Sequence, residues 1–315
     1  MRIAIIGGTR FIGHAVSALA VARGHDVAVL HRGIHPSEVA GARPITVDRA
    51  DPSALAETLA RLAPEAVVDT RAMTRVDAEA AALAAKVAGA PVVVLSSQDV
   101  YAQFGALNGL PAPPPEAVVT EDSPLTVPFP FRGTQHDGGD DYDKKEVEAV
   151  YARAVVEGLP AVTVLRLPAV YGHRDPRRRF GALVDALDAG QRRFPCRGGA
   201  RWRWTHAHVR DVAHSVILAA ERIAPGFSTF NVGEAATPTM RERAEAIAGG
   251  AGAAIEWDET TEIPPPLAWL GAMPSDLVVS SARIRAALGF AEITTEGERL
   301  ADLVDGLRRS RPPRA

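Results

Sequence analysis

Two hydrophobic rhythms alternate along the first half of the chain. Ile3 to Ile6 is a short, mostly β-branched run with no polar break, the pattern of a strand buried on both faces of a parallel sheet. Gly7 and Gly8 interrupt it. Ile12, Val16 and Leu19 then recur at helical spacing through about Arg23, with Gly24 as a stop. The alternation continues with strands at Asp26–Leu30, Pro44–Val47, Ala66–Asp69, Pro91–Leu95 and Val162–Leu167, and helices at Pro52–Leu62, Val76–Val87 and about Asp141–Glu157. Strands and helices alternating through short connections predict a parallel sheet covered on both faces. One segment breaks the rhythm: Phe104 to Gly139, rich in Pro and Gly, has the length of a loop that is either functional or disordered.

After Tyr171 the pattern changes. Helices are expected at Phe180–Ala189 and Val209–Arg222, and a strand at Phe227–Val232. Thr237 is expected to cap a helix that begins at Pro238, and Ile255–Trp257 to form a short strand. Ser281 would cap a short helix ended by Gly289, and Thr295 to Glu298 is a capping box for a last helix. The expected architecture is therefore α/β, a Rossmann-type doubly wound parallel sheet. Residues 1–171 with about 209–235 would form it. Residues 172–208 and 236–315 would form a small, mostly helical substrate lobe above the carboxyl ends of the strands, where clefts in such sheets lie.

Composition narrows the function classes. Of 315 residues, 47% are apolar and 23% charged, ordinary for a globular protein. A formal net charge of −3 gives no electrostatic case for nucleic acid or an anionic membrane. The single cysteine, Cys196, excludes an internal disulfide framework and a cysteine-rich metal site. The nine histidines show no metal-ligand spacing except His206 and His208, which have no cysteine or carboxylate at ligand spacing beside them, so no metal is expected. The first residues begin a core strand rather than a signal peptide, and no apolar run has spanning length; the expected location is cytoplasmic and the expected partner a small-molecule substrate. The basic stretch Arg308 to Arg314 reads as a frayed, solvated terminus. There is no Gly-x-Ser-x-Gly elbow and no Walker lysine.

The candidate chemistry begins at the first turn. Strand, glycine turn, helix is a phosphate cradle: glycine lets the backbone approach a pyrophosphate, and the helix N-terminus offers free N–H groups and the positive end of its dipole. Gly7, Thr9, Arg10, Phe11, Ile12 and Gly13 are the expected cofactor contacts. Past the second strand, Leu30 is followed by His31, Arg32 and Gly33, with no carboxylate to accept a ribose 2′-OH. Arg10 and Arg32 would instead offer forked, charge-assisted donors to a 2′-phosphate, so NADP is expected ahead of NAD. The alternative is that Arg32 is merely solvated and a backbone group serves the ribose.

The opening Gly-Gly-Thr-Arg-Phe-Ile-Gly13 resembles that of the extended short-chain dehydrogenase/reductases, the NAD(P)-dependent epimerase/dehydratase family, with Arg10 where the family usually has its middle glycine. Ser96-Ser-Gln-Asp-Val-Tyr101, Thr120-Glu-Asp-Ser-Pro-Leu125, Leu165-Arg-Leu-Pro-Ala-Val-Tyr-Gly172, His208 to Ala213 and Arg283 to Phe290 resemble further family motifs, in the same order. The resemblance implies a nicotinamide-dependent reductase, epimerase or dehydratase acting on a hydroxyl or carbonyl of a small molecule, sugar- or nucleotide-linked in many members, and a homodimer. It implies Ser97 as the catalytic serine, Asp48 beside the adenine (or as a helix cap), and Pro168 facing the nicotinamide. Tyr101 and Asp99 are fallback acid/base groups near Ser97, with Tyr101 also a candidate substrate contact.

The family's catalytic tyrosine and lysine lie four apart on one helix face, but here four residues after Tyr142 comes Glu146. Two versions stay open. In one, Tyr142 is the acid/base and Lys144 or Lys145 holds the ribose; Lys145, three residues on, shares its helix face, whereas pairing with Lys144 requires Tyr142 to reach in from a turn before the helix. In the other, the dyad is degraded and the protein is a dinucleotide-binding sensor or an RNA-associated protein, since Gly-Gly-Thr-Arg-Phe with a bent dyad also resembles the chloroplast stem-loop RNA-binding branch of atypical members. The acidic balance and lack of a basic helix face speak against RNA. Finally, Trp204 stands where sugar-nucleotide enzymes carry an arginine that grips the diphosphate, with Arg203 one before it; Arg201-Trp-Arg-Trp204 either binds substrate or packs the lobe. Arg177 to Arg179 is either an anion grip or a solvated turn.

Overall fold

Buried β-branched runs can pair only with one another, and here they do so in parallel. The computed structural model describes residues 1–35, 37–127, 129, 131 and 139–311. The Rossmann strands are β1 (Arg2–Ile6), β2 (Asp26–His31), β3 (Arg43–Thr46), β4 (Ala66–Asp69), β5 (Val92–Ser97), β6 (Ala161–Leu167) and, after three short strands outside this sheet, β10 (Gly226–Asn231). They form one seven-stranded sheet in the order β10-β6-β5-β4-β1-β2-β3, all neighbours parallel. The chain builds outward from β1 to β3 and then returns to add β4 on the other side. The order therefore reverses between β1 and β4, and a crevice opens above their carboxyl ends, the usual place for a ligand.

Each face of the sheet has its own core. Helices α1 (Phe11–Ala22), α7 (Val209–Glu221) and α9 (Ala282–Leu288) bury Val16, Ala20, Val212, Val216 and Ile284 against one face. Helices α2 (Pro52–Leu62), α3 (Arg75–Val87) and α5 (Lys144–Val156) bury Leu55, Leu59, Ala81, Val147 and Tyr151 against the other. The remaining elements are α4 (Ala102–Leu107), β7 (Ala169–Tyr171), α6 (Gly181–Asp188), β8 (Arg193–Pro195), β9 (His206–His208), α8 (Met240–Gly250), β11 (Glu256–Asp258) and α10 (Glu296–Arg309). β7 pairs with β9 and β8 with β11, and a separate apolar cluster holds α6, α8 and α10 together around Phe194, Trp202 and Leu303. Among the described residues no helix is long and apolar enough to cross a membrane.

Four sequence expectations shift. The helix expected from Pro238 begins at Met240, capped by Thr239. Thr239 and Glu242 satisfy each other reciprocally, side chain to backbone, whereas three residues after Thr237 stands Met240, which has no acceptor to return the bond. The segment Phe104–Gly139, whose residues 128, 130 and 132–138 lie outside the described ones, is not wholly irregular, because α4 runs into its start. The helix expected from Asp141 begins at Lys144, because the Asp143 carboxylate accepts the free N–H groups of Lys145 at 2.9 Å and Glu146 at 3.2 Å and so fixes the N-cap there. That places Tyr142 ahead of the helix. Of the C-terminal basic stretch, residues 312–314 lie outside the described residues; α10 runs to Arg309, and Arg308 and Arg311 pair with Asp188 while staying partly exposed.

Candidate active site

The turn after β1 is shaped by what it excludes. Gly7 has φ +87°, and a Cβ there would lie 2.3 Å from the Arg71 side chain. Gly13, inside α1, lets the helix press onto the turn: a Cβ would stand 2.5 Å from the Gly7 carbonyl and 2.9 Å from Gly8 Cα. Arg10 takes the family's glycine position without strain because its φ is −134°, extended backbone, and its side chain is exposed. The N-terminus of α1 and these closely approached backbones form a cradle that fits a dinucleotide pyrophosphate.

This cradle is one end of a cleft of about 1030 Å³ that runs along the carboxyl ends of the strands to the lobe. Gly7, Thr9, Arg10, Phe11, Ile12 and Gly13 line it, as do Arg32, Asp48, Ser97, Tyr142, Lys144, Pro168 and Trp204. Arg10 and Arg32 are exposed at its mouth, and Arg10 lies 3.4 Å from His35 Nε2. Arg71, which follows β4, borders the same mouth. Asp48 is exposed and accepts from the Ala50 N–H at 3.0 Å; the cap of α2 is Asp51 instead. Beside it lies a pair that local patterns did not flag: Arg49 clamps the fully buried Asp69 at 2.9 and 3.3 Å, and Tyr151 donates to the same carboxylate at 2.8 Å. Only the fold brings these three positions together.

The middle of the cleft holds the candidate chemistry. Lys144, on the first turn of α5, is buried, and its Nζ donates to the carbonyls of Ala72 at 2.6 Å and Leu95 at 2.9 Å. Burial pushes its pKa down to about 8. The two carbonyls fix the ammonium beside the cleft. Tyr142 is 4% exposed, and its hydroxyl donates to Asp99 Oδ2 at 2.8 Å. Burial and the neighbouring carboxylate both push the phenol's pKa well up. The Ser97 hydroxyl is a hydrogen-bond neighbour of the phenol and of Asp99. Lys144 Nζ lies 5.9 Å from the centre of the Tyr142 ring. Asp99, buried beneath them, has its pKa pushed up to about 6 by desolvation.

Several candidates belong elsewhere. Lys145 is not in the cleft: its ammonium bonds the Thr126 carbonyl and lies over the Phe129 ring, because a residue one further along the helix faces a different way. Tyr101 is fully buried rather than free to meet substrate. Its hydroxyl donates to Asn231 Oδ1 at 2.7 Å and accepts from Arg166 at 3.0 Å, while Arg166 also grips Glu148 at 2.7 Å and Glu148 accepts from Ser96. This buried network ties β5, β6, β10 and α5 together behind Ser97, so three residues of the resembling motifs serve the scaffold. Arg203 is exposed and outside the cleft, with its guanidinium on the Thr237 carbonyl at 2.9 Å. Trp202 packs the lobe, donating to the Trp269 carbonyl at 2.9 Å, whereas Trp204, stacked on it at 5.6 Å, faces the cleft. Arg177 and Arg179 also border the cleft, and Arg179 is paired with Asp175 at 3.0 Å. His208 is bonded to Asp302, His206 to the Trp204 carbonyl, and no group of three or more His, Cys, Asp or Glu among the described residues could hold a metal.

Comparison with known proteins agrees with this geometry. Residues 3–105 match the sequence profile of the NAD dependent epimerase/dehydratase family. A 3-diazoavenalumate denitrifying reductase from a Streptomyces species is 28% identical over 237 residues, covering 72% of this chain and 74% of that one. A 2'-dehydrokanamycin reductase from Streptomyces kanamyceticus is 27% identical over 237 residues, and the match spans 70% of this chain but only 59% of the relative. The UDP-glucose 4-epimerase of Bifidobacterium longum, solved in complex with NAD+ and UDP, shares the fold over 98% of this chain and 99% of its own, with a TM-score of 0.72 at 15% identity. The likeness to the NAD dependent epimerase/dehydratase family thus rests on residues 3–105, which hold the phosphate cradle and the switch point above it, while the likeness of fold extends over 98% of the chain.

Proposed function

We propose that this chain is an NADP(H)-linked oxidoreductase that interconverts a secondary alcohol and a carbonyl on a small, largely apolar molecule. The observation that carries the reading is the convergence of the glycine cradle, Lys144, Ser97 and Tyr142 on one cleft. A bound nicotinamide supplies or accepts the hydride. Lys144, held by two carbonyls, keeps its remaining proton for the ribose hydroxyls on that side. Ser97 orients the substrate oxygen, and Tyr142 exchanges a proton with it. The choice of NADP(H) rests on Arg10 and Arg32 at the adenosine end and on the absence of a carboxylate after β2.

The substrate end supports an apolar ligand. Met73, Phe104, Phe131, Trp204 and Leu277 border the cleft next to Tyr142 and form one hydrophobic cluster with it. A cofactor sensor without chemistry would have no need of a buried phenol aimed at a serine and a carboxylate.

The test is calorimetric coenzyme titration combined with turnover of a panel of alcohols and ketones by the wild type and Tyr142→Phe. The expected result is an unchanged coenzyme Kd and a loss of turnover of at least about 100-fold in the variant. Coenzyme binding with no turnover anywhere in the panel, or full turnover by Tyr142→Phe, refutes the assignment.

A further inference from the structure

We infer that Asp99 and Tyr142 form a two-part proton relay, in which the carboxylate holds and returns the proton that the phenol exchanges with the substrate oxygen. The inference rests on the reading of Tyr142 as the proton-transferring group and adds the residue it works through.

The geometry carries it. Because Asp143 caps α5, Tyr142 enters the cleft from the turn before the helix, two residues ahead of Lys144. From there its hydroxyl meets Asp99 Oδ2 at 2.8 Å, while the lysine ammonium is committed to two backbone carbonyls. A lysine beside a phenol lowers its pKa and makes a phenolate available; a carboxylate beside it does the opposite. Tyr142 therefore cannot act as a ready phenolate base at neutral pH, and the proton needs another place to go. Asp99 supplies one. It borders the cleft, and its second oxygen, Oδ1, is buried with no hydrogen-bond partner among the described residues. A buried orphaned carboxylate oxygen costs stability and calls for an explanation. The groups facing it are the Tyr142 phenol, the Ser97 hydroxyl, the Lys144 ammonium and, more distantly, the Glu148 carboxylate, itself neutralised by Arg166. Burial pushes its pKa up to about 6 against the pull of the phenol, the ammonium and the hydroxyl, so it can gain and lose a proton near neutrality.

The step balances. In alcohol oxidation the substrate O–H bond breaks and its proton passes to the Tyr142 oxygen as the phenol's own proton passes to Asp99 Oδ2. The C–H electron pair leaves as hydride to the oxidised coenzyme, and the C=O bond forms. In reduction every transfer reverses: Asp99 as the acid reloads Tyr142, which protonates the new alkoxide. The phenol stays neutral throughout.

The first readout needs no substrate. With aspartate labelled at the carboxyl carbon, NMR titration of the apoprotein should show Asp99 changing protonation near pH 6, and in Tyr142→Phe this midpoint should move upward, because the lost donor stabilised the anion. The second readout uses 9,10-phenanthrenequinone, a flat dicarbonyl, with NADPH. Wild-type kcat/KM should fall as pH rises above about 6, roughly tenfold per unit. Asp99→Asn should be slower at pH 5.5 by at least about 30-fold and show no such limb, with NADPH Kd and thermal midpoint measured alongside. An ordinary carboxylate titration near pH 4, or one unmoved by Tyr142→Phe, overturns the relay. So does an Asp99→Asn enzyme that keeps the wild-type pH profile, whatever its absolute rate. If Tyr142→Phe itself retains full turnover, the underlying reading fails rather than the relay alone.

Discussion

Replacing Arg32 by alanine isolates the adenosine end of the cleft. Arg32 follows the last residue of β2, His31, whose Nδ1 accepts the Gly33 N–H at 3.0 Å and turns the chain across the cleft mouth. The guanidinium is exposed, so deleting it leaves no buried hole and no stranded charge, and the fold should not notice. A charge-assisted hydrogen bond to phosphate nets about 1.5–3 kcal/mol when well formed. In an exposed position the lower figure applies, and about 1.4 kcal/mol corresponds to tenfold in affinity. Calorimetry should therefore show NADPH binding weakened about tenfold in Arg32→Ala and NADH, which lacks the 2′-phosphate, changed less than about twofold. Arg10 stands at the same mouth, so the double variant Arg10→Ala/Arg32→Ala should lose more, and the NADPH effect should shrink in high salt, where the Debye length falls to about 3 Å at 1 M. If both coenzymes weaken equally, Arg32 shapes the loop rather than reading the phosphate. If the wild type prefers NADH and the variant is unchanged, the 2′-phosphate argument is wrong and a backbone group serves the ribose.

Two further variants separate cradle from scaffold. In Gly13→Ala, the new methyl would lie 2.5 Å from the Gly7 carbonyl, so the usual helix gain from alanine is overridden; a net loss of about 1–3 kcal/mol in urea unfolding, and coenzyme affinity reduced far beyond that of Arg32→Ala, are expected. Normal coenzyme binding by Gly13→Ala would show that the turn relaxes freely. Tyr101→Phe removes a buried hydroxyl held by Asn231 and Arg166 and should cost about 1–3 kcal/mol of stability with coenzyme affinity intact. A selective loss of substrate binding there would return Tyr101 to the site.

The local elements of this protein are written locally. The run Ile3–Ile6, the glycine break and the helical spacing of Ile12, Val16 and Leu19 each depend on residues within a few positions, so strand, turn and helix are legible without the fold. The missing carboxylate after β2 and the odd spacing of Tyr142 and the lysines are legible in the same way. The sequence could state that the dyad was irregular but not how it is resolved. That depended on Asp143 outcompeting its neighbours as the cap, which rotates Lys144 inward and Lys145 outward and leaves Tyr142 ahead of the helix. It depended also on β5 bringing Asp99, 43 residues away in the chain, to within 2.8 Å of the phenol. The same limit hid the Arg49–Asp69–Tyr151 cluster and the structural role of Tyr101, each assembled from strands and helices far apart in sequence. Periodicity reports which face of an element is buried. Which buried or cleft-facing groups then meet is decided by strand order, register and the exact start of a helix, and those are properties of the packed whole.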